Sequence, residues 1–333
     1  MKEIRGGVTA ASGFLSSGIA AGIKDSKNRD LALIVSDNSA EVAAVFTQNR
    51  AEAAPVILSR ERVNNGEVRA IIVNSGNANA CTGEQGMKDA ERMTELIADS
   101  LSISKNEILV ASTGIIGEPL PMDKIEKGIN DLVDKLDYND RNAAEAILTT
   151  DTVTKTKAYS IELPLRGEEI HIGGMAKGSG MIHPDMATML GFITSDVKIE
   201  KELLQQALSD VADLSFNRIS VDGDQSTNDS VFLMANGKAG NNKIDEKNED
   251  YYAFLNGLKE VAVYLARAIV RDGEGATKFI TIKVREAADD SDAEKIARQI
   301  ANSSLVKTAC FGNDPNWGRI LAAAGATYVN FDP

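Results

Sequence analysis

The residues predict an α+β fold, or a sandwich-like α/β one, and three observations carry that reading. Strand-like runs and amphipathic helices are interleaved without the strict alternation of a doubly wound sheet. Paired strand runs joined by polar turns occur twice. No fixed-period repeat is present. With 333 residues, 43% hydrophobic and 26% charged, the composition is that of a globular chain able to bury a large core.

Taken in order, Leu31-Ala-Leu-Ile-Val-Ser36 and Glu41-Val-Ala-Ala-Val-Phe46 read as two strands of a hairpin, turning at Asp37-Asn38. Arg69–Asn74 is a third strand, running into the polar loop Asn74–Gly83. Ala90, Met93, Leu96 and Ile97 mark one helix face, and Glu107–Ala111 a strand ending at Ser112-Thr113-Gly114. The spacing of Ile125, Ile129, Leu132, Val133 and Leu136 predicts an amphipathic helix, with Gly128 a small penalty inside it. Arg141–Leu148 reads as helix, and Lys157–Leu163 with Glu169–Gly173 as a strand pair around Arg166-Gly167. Met189–Ile193 has the composition of a buried strand.

Farther on, Leu204, Ala207, Leu208 and Val211 mark a helix, and Ser230–Ala235 a strand. Gly237–Glu249 reads as an exposed loop, and Phe254, Leu258, Val261, Leu265 and Ile269 form the most regular helical pattern. Ile280, Ile282 and Val284 alternate as a half-buried strand should. Ser291 with Glu294 is read as a capping box for the helix through Ile300, and Ile320–Ala326 as a last helix.

Composition excludes several functions. A net charge of −13 weighs against nucleic-acid binding, and no run approaches the roughly 18 apolar residues of a membrane helix. The start, M-K-E-I-R-G-G-V-T-A, lacks the apolar core of a signal peptide, so the expected location is the cytoplasm. Cys81 and Cys310 stand alone rather than in a C-x-x-C pattern, and His171 and His183 are too few for a multi-histidine metal centre.

The chemistry centres on Lys177–Asp196, where a glycine-rich loop passes His183-Pro184 and Ala187-Thr188 before entering the Met189 strand. Thr188 can be read as the first β-branched residue of a strand. It can also be read as a self-cleaving nucleophile. Its hydroxyl would attack the carbonyl carbon of Ala187, and hydrolysis of the resulting ester would free an N-terminal threonine. That residue would supply both nucleophile and base, since an α-amine has a pKa of about 7.7–8.0. Thr113-Gly114 is a candidate oxyanion hole, with an ordinary turn as the alternative. Lys177 is a candidate for a substrate carboxylate and Glu274, between two glycines, for a substrate ammonium. Asp222, Asp224 and Asp229 lack EF-hand spacing and are read as structural hydrogen bonders before metal ligands. A Ser179/His183 dyad is conceivable and disfavoured.

Seven polar segments occur in one order: Asn74–Gly83, Ser112–Gly114, Thr149–Thr152, Lys177–Pro184 with Met186–Leu190, Ser220–Asp224 with Ser226–Asp229, Asp272–Lys278 and Gly312–Arg319. Together they resemble the ornithine acetyltransferases of arginine biosynthesis, also called glutamate N-acetyltransferases. The resemblance implies a sandwich of sheets and helices shared with self-cleaving aminopeptidases. It also implies cleavage between Ala187 and Thr188 into an α chain, 1–187, and a β chain, 188–333, two of each assembling together.

By position it makes Thr188 the nucleophile, Thr113 and Gly114 the oxyanion hole, and Thr149, Lys177 and Glu274 substrate contacts. The implied reaction moves an acetyl group from N-acetylornithine to glutamate without a cofactor. Acetyl-CoA as a second acetyl donor is left open, as is a self-cleaving amidase or aminopeptidase on the same scaffold, or a silent binding protein. The resembled family continues beyond Gly312–Arg319 with a segment that closes the substrate site; this sequence, ending at Phe331-Asp332-Pro333, reads as short there.

Overall fold

In the computed structural model, residues 1–183 and 189–332 are described. The first half of the chain contains β1 (Lys2–Ile4), β2 (Phe14–Ile19), β3 (Leu31–Phe46), α1 (Ala54–Asn65), β4 (Val68–Asn77), α2 (Gly83–Leu101), β5 (Ile108–Ile115), α3 (Met122–Asp134) and α4 (Arg141–Ala146). It continues with β6 (Lys155–Glu162), β7 (Glu169–Lys177), β8 (Leu190–Ser195), α5 (Lys201–Leu214), β9 (Ser230–Ala235), α6 (Glu249–Arg271), α7 (Asp290–Asn302), α8 (Ser304–Phe311) and α9 (Trp317–Gly325).

The strands run in the order β1-β6-β7-β8-β9-β3-β4-β5, with β2 paired to β3. The predicted hairpin is the main correction. Leu31–Phe46 is one strand of 16 residues, and its register shifts between Val35 and Ala40. Before the shift it pairs with β2 and β4; after it, Glu41–Phe46 pairs with β9. Asp37 and Asn38 mark an irregular, bulge-like crossing from one sheet to the next, not a reversal.

Alternation along β3 explains the layers. Ala32, Ile34, Val42 and Ala44 face a core shared with Ile71 and Val73 of β4, Met175 of β7, Phe192 of β8 and Phe232 of β9, so the two sheets pack on each other. Leu31 and Leu33 point the other way, into a core with Met93 and Ile97 of α2 and Ile125 and Ile129 of α3. On the opposite outer face, Ile172, Ile193 and Leu233 meet Leu204 and Leu208 of α5 and Phe254, Leu258 and Leu265 of α6. The result is helices, sheet, sheet, helices, the expected sandwich. Strands buried on both faces account for the nearly continuous apolar runs in the sequence.

Other expectations divide. The strand at Ser230–Ala235 matches in full, and the helices read at α2, α3, α4, α5, α6, α7 and α9 are present. Ile280, Ile282 and Val284 form no strand. Ile282 and Val284 instead lean on the small core of Ile296, Ile300, Val306, Ala323 and Ala324 among α7–α9, while Ile280 is exposed. The cap of α7 is Asp289, whose side chain accepts from the Asp292 N–H, rather than Ser291. No described helix is long and apolar enough to cross a membrane.

Phe232 stacks on Phe192 at 5.9 Å and meets Phe46 edge-on at 5.7 Å in the intersheet core. Phe232→Ala should lower unfolding stability by about 3–5 kcal/mol, measured by urea denaturation, because two sheets fixed to one strand cannot close the cavity. A loss below ~1 kcal/mol would contradict this packing.

Candidate active site

Ala187 and Thr188 lie outside the described residues, but both flanks of the stretch are placed by strand pairing. Lys177, the last residue of β7, is in register with Leu190, the first of β8, and Leu190 is in register with Ser230 of β9. The N–H of Met189, the residue after Thr188, donates to Asp229 Oδ1 at 2.9 Å. Thus Lys177, Met189 and Asp229 converge where β8 begins.

Thr113 and Gly114 close β5, in parallel register with Ser75 and Gly76 of β4. Thr113 is buried and Gly114 has a φ of +139°. A Cβ on Gly114 would stand 2.3 Å from the Gly76 carbonyl carbon and 2.4 Å from the Asn77 nitrogen, so only glycine fits this backbone approach. Asn228 ties this strand end to β8. Its amide donates to the carbonyls of Ala78 at 2.6 Å and Ser112 at 2.8 Å, and the next residue is Asp229, which holds Met189.

Thr149, Lys177 and Glu274 belong to three segments joined by one polar cluster. Asp151 Oδ2 accepts from the Thr149 N–H at 3.1 Å, and its Oδ1 accepts from the Gly178 N–H at 2.6 Å and Lys155 Nζ at 2.7 Å. Lys155 also donates to Asp272 Oδ2 at 2.6 Å and the Val153 carbonyl at 3.2 Å. The Glu274 N–H donates to the Ser179 carbonyl at 2.8 Å, and the Thr150 hydroxyl donates to Glu274 Oε1 at 2.5 Å. Lys24 reaches the same place, donating from Nζ to the Leu148 carbonyl at 2.6 Å.

Charge is distributed unevenly here. Burial pulls the Lys177 ammonium below the usual lysine range, with Lys155 adding to the effect and Asp151, Asp229 and Glu274 opposing it. Burial works against the charge of Asp151, yet Lys177 and Lys155 outweigh it and hold the carboxyl below its ordinary value. Asp229 is fully buried, and burial pushes its carboxyl well above the usual range; the Met189 N–H, Ser226 and Lys177 offset only part of that. The cluster therefore combines a buried ammonium whose charge burial disfavours, a carboxyl that burial pushes up and a carboxyl that its lysine neighbours hold down.

Asp222 and Asp229 serve backbone geometry, and the Asp224 N–H donates to Asp222 Oδ1 at 3.1 Å. Asp222 accepts from the N–H groups of Met181 and Ile182, while Asp229 holds Met189. Among the described residues no three His, Cys, Asp or Glu side chains are grouped as a metal site. Ser179 and His183 turn to different partners, the Thr150 hydroxyl at 2.7 Å and Asn302 at 3.4 Å. Lys24 and Lys155 were not anticipated; the four-residue spacing of Asp151 and Lys155 was the one available signal, and Lys24 gave none.

Residues 15–333 match the model of the ArgJ family. The chain belongs to that family. It is 50% identical over 336 residues to the arginine biosynthesis bifunctional protein ArgJ of Symbiobacterium thermophilum, covering 100% of this chain and 83% of that one. The ArgJ protein of Lactococcus lactis is likewise 50% identical over 335 residues. Among solved structures, ArgJ from Bacillus halodurans aligns with a TM-score of 0.51 at 44% identity, covering 56% of this chain and 96% of its own. The ornithine acetyltransferase of Mycobacterium tuberculosis, complexed with ornithine, aligns at 0.51 with 40% identity over 55% of this chain and 97% of its own. A Burkholderia β-aminopeptidase shares the fold at a TM-score of 0.50 and 9% identity over 80% of this chain and 88% of its own. The family, the enzyme class and the arginine-biosynthetic setting expected from the sequence therefore stand.

Gly114→Ala should destabilise this ArgJ chain by on the order of 2–4 kcal/mol and lower acetyl-transfer turnover by at least ~10²-fold, checked by thermal unfolding and initial rates. A second expectation concerns pH. Asp229 binds its proton more tightly folded than unfolded, so its contribution is present below the unfolded pKa and is lost as pH rises toward the folded one. Asp229→Asn, which keeps the acceptor for Met189, should gain stability relative to the parent chain as pH rises. Unfolding curves whose difference is flat with pH would contradict that assignment.

Proposed function

We propose that this ArgJ protein transfers an acetyl group from N-acetylornithine to glutamate through an acyl-enzyme on Thr188, freed by cleavage after Ala187. The observation that carries the reading is the placing of Lys177: a buried ammonium, registered against Leu190 two residues beyond Thr188. Both substrates bring a carboxylate to such a cation, and both react at an amine or amide nitrogen. Glu274, exposed at the edge of the cluster, suits the ammonium of the ornithine side chain, with Thr149 next in the chain to Thr150, whose hydroxyl donates to Glu274. The ornithine found in the M. tuberculosis relative supports an ornithine-type substrate.

The steps follow from these positions. The Thr188 hydroxyl attacks the acetyl carbonyl while the α-amine of the new N-terminus takes its proton. On this reading Thr113 and Gly114 supply the donors that meet the developing oxyanion. The C–N bond then breaks, the proton passes to the departing nitrogen, and ornithine leaves. Glutamate's neutral amine attacks the ester, Thr188 recovers its proton, and N-acetylglutamate departs. Every proton is accounted for without a cofactor, and acetyl-CoA remains an alternative acetyl donor.

The division into 1–187 and 188–333 is supported by the B. halodurans alignment. A solved chain covered to 96% spans only 56% of this one, the share that residues 1–187 of a 333-residue chain also make up. Two such α chains and two β chains are the assembly proposed.

The test is the intact mass under denaturing conditions together with acetyl-transfer rates. The parent chain should give two masses dividing between Ala187 and Thr188. Thr188→Ala should give one mass and lose at least ~10³-fold in rate. Activity surviving in Thr188→Ala would overturn the reading, and acetyl release independent of glutamate would favour an amidase.

A further inference from the structure

We propose that Lys155 is a positioning residue that keeps Lys177 open to a substrate carboxylate by occupying the buried Asp151 carboxylate itself; this rests on the acetyl-transfer reading. The hydrogen-bond inventory carries the inference. An ammonium has three donors, and Lys155 commits all three, to Asp151 Oδ1 at 2.7 Å, Asp272 Oδ2 at 2.6 Å and the Val153 carbonyl at 3.2 Å. Its side chain is 1% exposed, so it has neither a free donor nor access to a ligand. Lys177 is the reverse case. Its Nζ stands 3.9 Å from Asp151 Oδ2, beyond hydrogen-bond distance, and makes no hydrogen bond among the described residues although its side chain is only 4% exposed. A buried ammonium without an acceptor is costly unless something else completes it.

Asp151 is the nearest group that could do so, and it is already engaged. Oδ1 takes Lys155 and the Gly178 N–H, and Oδ2 takes the Thr149 N–H. On its other side Lys155 also donates to Asp272, which in turn accepts from the Thr152 N–H at 3.0 Å and from the Thr152 hydroxyl. Two lysines face Asp151, but the short contact goes to Lys155. The charge of Lys177 is left for an incoming anion. Without the Lys155 ammonium, Asp151 would draw Lys177 inward and the substrate carboxylate would compete with a built-in one.

The experiment measures KM and kcat for N-acetylornithine in the cleaved protein carrying Lys155→Met, Lys155→Arg or Asp272→Asn. Lys155→Met should raise KM by at least ~10-fold, with kcat changed several-fold less, because a ground-state contact is lost and the nucleophile is untouched. Lys155→Arg should restore much of the loss. Asp272→Asn removes the second carboxylate but leaves Lys155 on Asp151, so KM should stay within about twofold of the parent. A purely structural cluster would instead make Lys155→Met and Asp272→Asn fail alike, with kcat and KM moving together, and that result overturns the inference, as does an unchanged KM in Lys155→Met. Where Lys155→Met yields no folded protein, Lys155→Arg and Asp272→Asn decide: KM kept by both supports the inference, KM raised ~10-fold in Asp272→Asn overturns it. A parent chain with no glutamate-dependent acetyl transfer fails the underlying reading and the inference with it. Parent activity with an unresponsive KM fails the inference alone.

Discussion

Because β3 is hydrogen-bonded to β4 along its first half and to β9 along its second, the two sheets cannot slide past each other without breaking a ladder. That constraint sets the site. Thr113 and Gly114 hang on β3 through β4, and the start of β8 hangs on it through β9. The distance from the oxyanion candidate to residue 189 is thus a property of one strand, trimmed by the Asn228 amide that bonds two carbonyls on the β4–β5 side. Layers of apolar side chains on both faces of β3 make sliding costly as well, since a shift by one residue would exchange Ala32 and Ile34 for Leu31 and Leu33 in the intersheet core.

Polar groups at the strand ends are held differently. Lys155, Asp151 and Asp272 are nearly dry, and taking such ions out of water offsets much of their mutual attraction, so their value to stability is small. What they contribute is geometry. Asp151 alone bonds the backbone of Thr149 and Gly178, which lie on segments 29 residues apart in numbering. Loss of one partner would leave the others buried and unpaired, so the cluster resists partial rearrangement even though its net free energy is modest. Such an arrangement suits a substrate site, where position matters more than strength.

Much of the outer structure was legible because it is written locally. Leu204, Ala207, Leu208 and Val211 turn to one side at helical spacing, and the structure buries all four in α5. α1 escaped notice because its apolar residues do not form one stripe: Leu58, Ser59 and Arg62 are all buried. β3 was misread because Asp37 and Asn38 have turn chemistry, and nothing local distinguishes a reversal from a crossing between sheets. Ile280, Ile282 and Val284 alternate like a strand but have no neighbouring edge to pair with. The candidate site shows the same division. Asp222–Asp229 was visible as a loop, whereas the first residues of the predicted loop Asn74–Gly83 extend β4 to Asn77; Thr113, Gly114 and Lys177 fall near strand ends, while the partnership of Lys155 with Asp272 spans 117 positions and no periodicity can encode it.

The electrostatics of the cluster also bear on how one pH can serve both halves of the exchange. In the exchange proposed here, a nucleophile assisted by its own α-amine would need that amine neutral, and so a pH above about 7.7–8.0, whereas carboxylate recognition by Lys177 would need the lysine charged. Burial disfavours the charged form of Lys177. Asp151, Asp229 and Glu274 push it back, and Asp151 does so from 3.9 Å, far enough to favour the charge without capturing it. A closer carboxylate would protect the charge better but compete with the substrate carboxylate proposed for Lys177. Sharing Asp151 with Lys155 is the compromise that satisfies both demands.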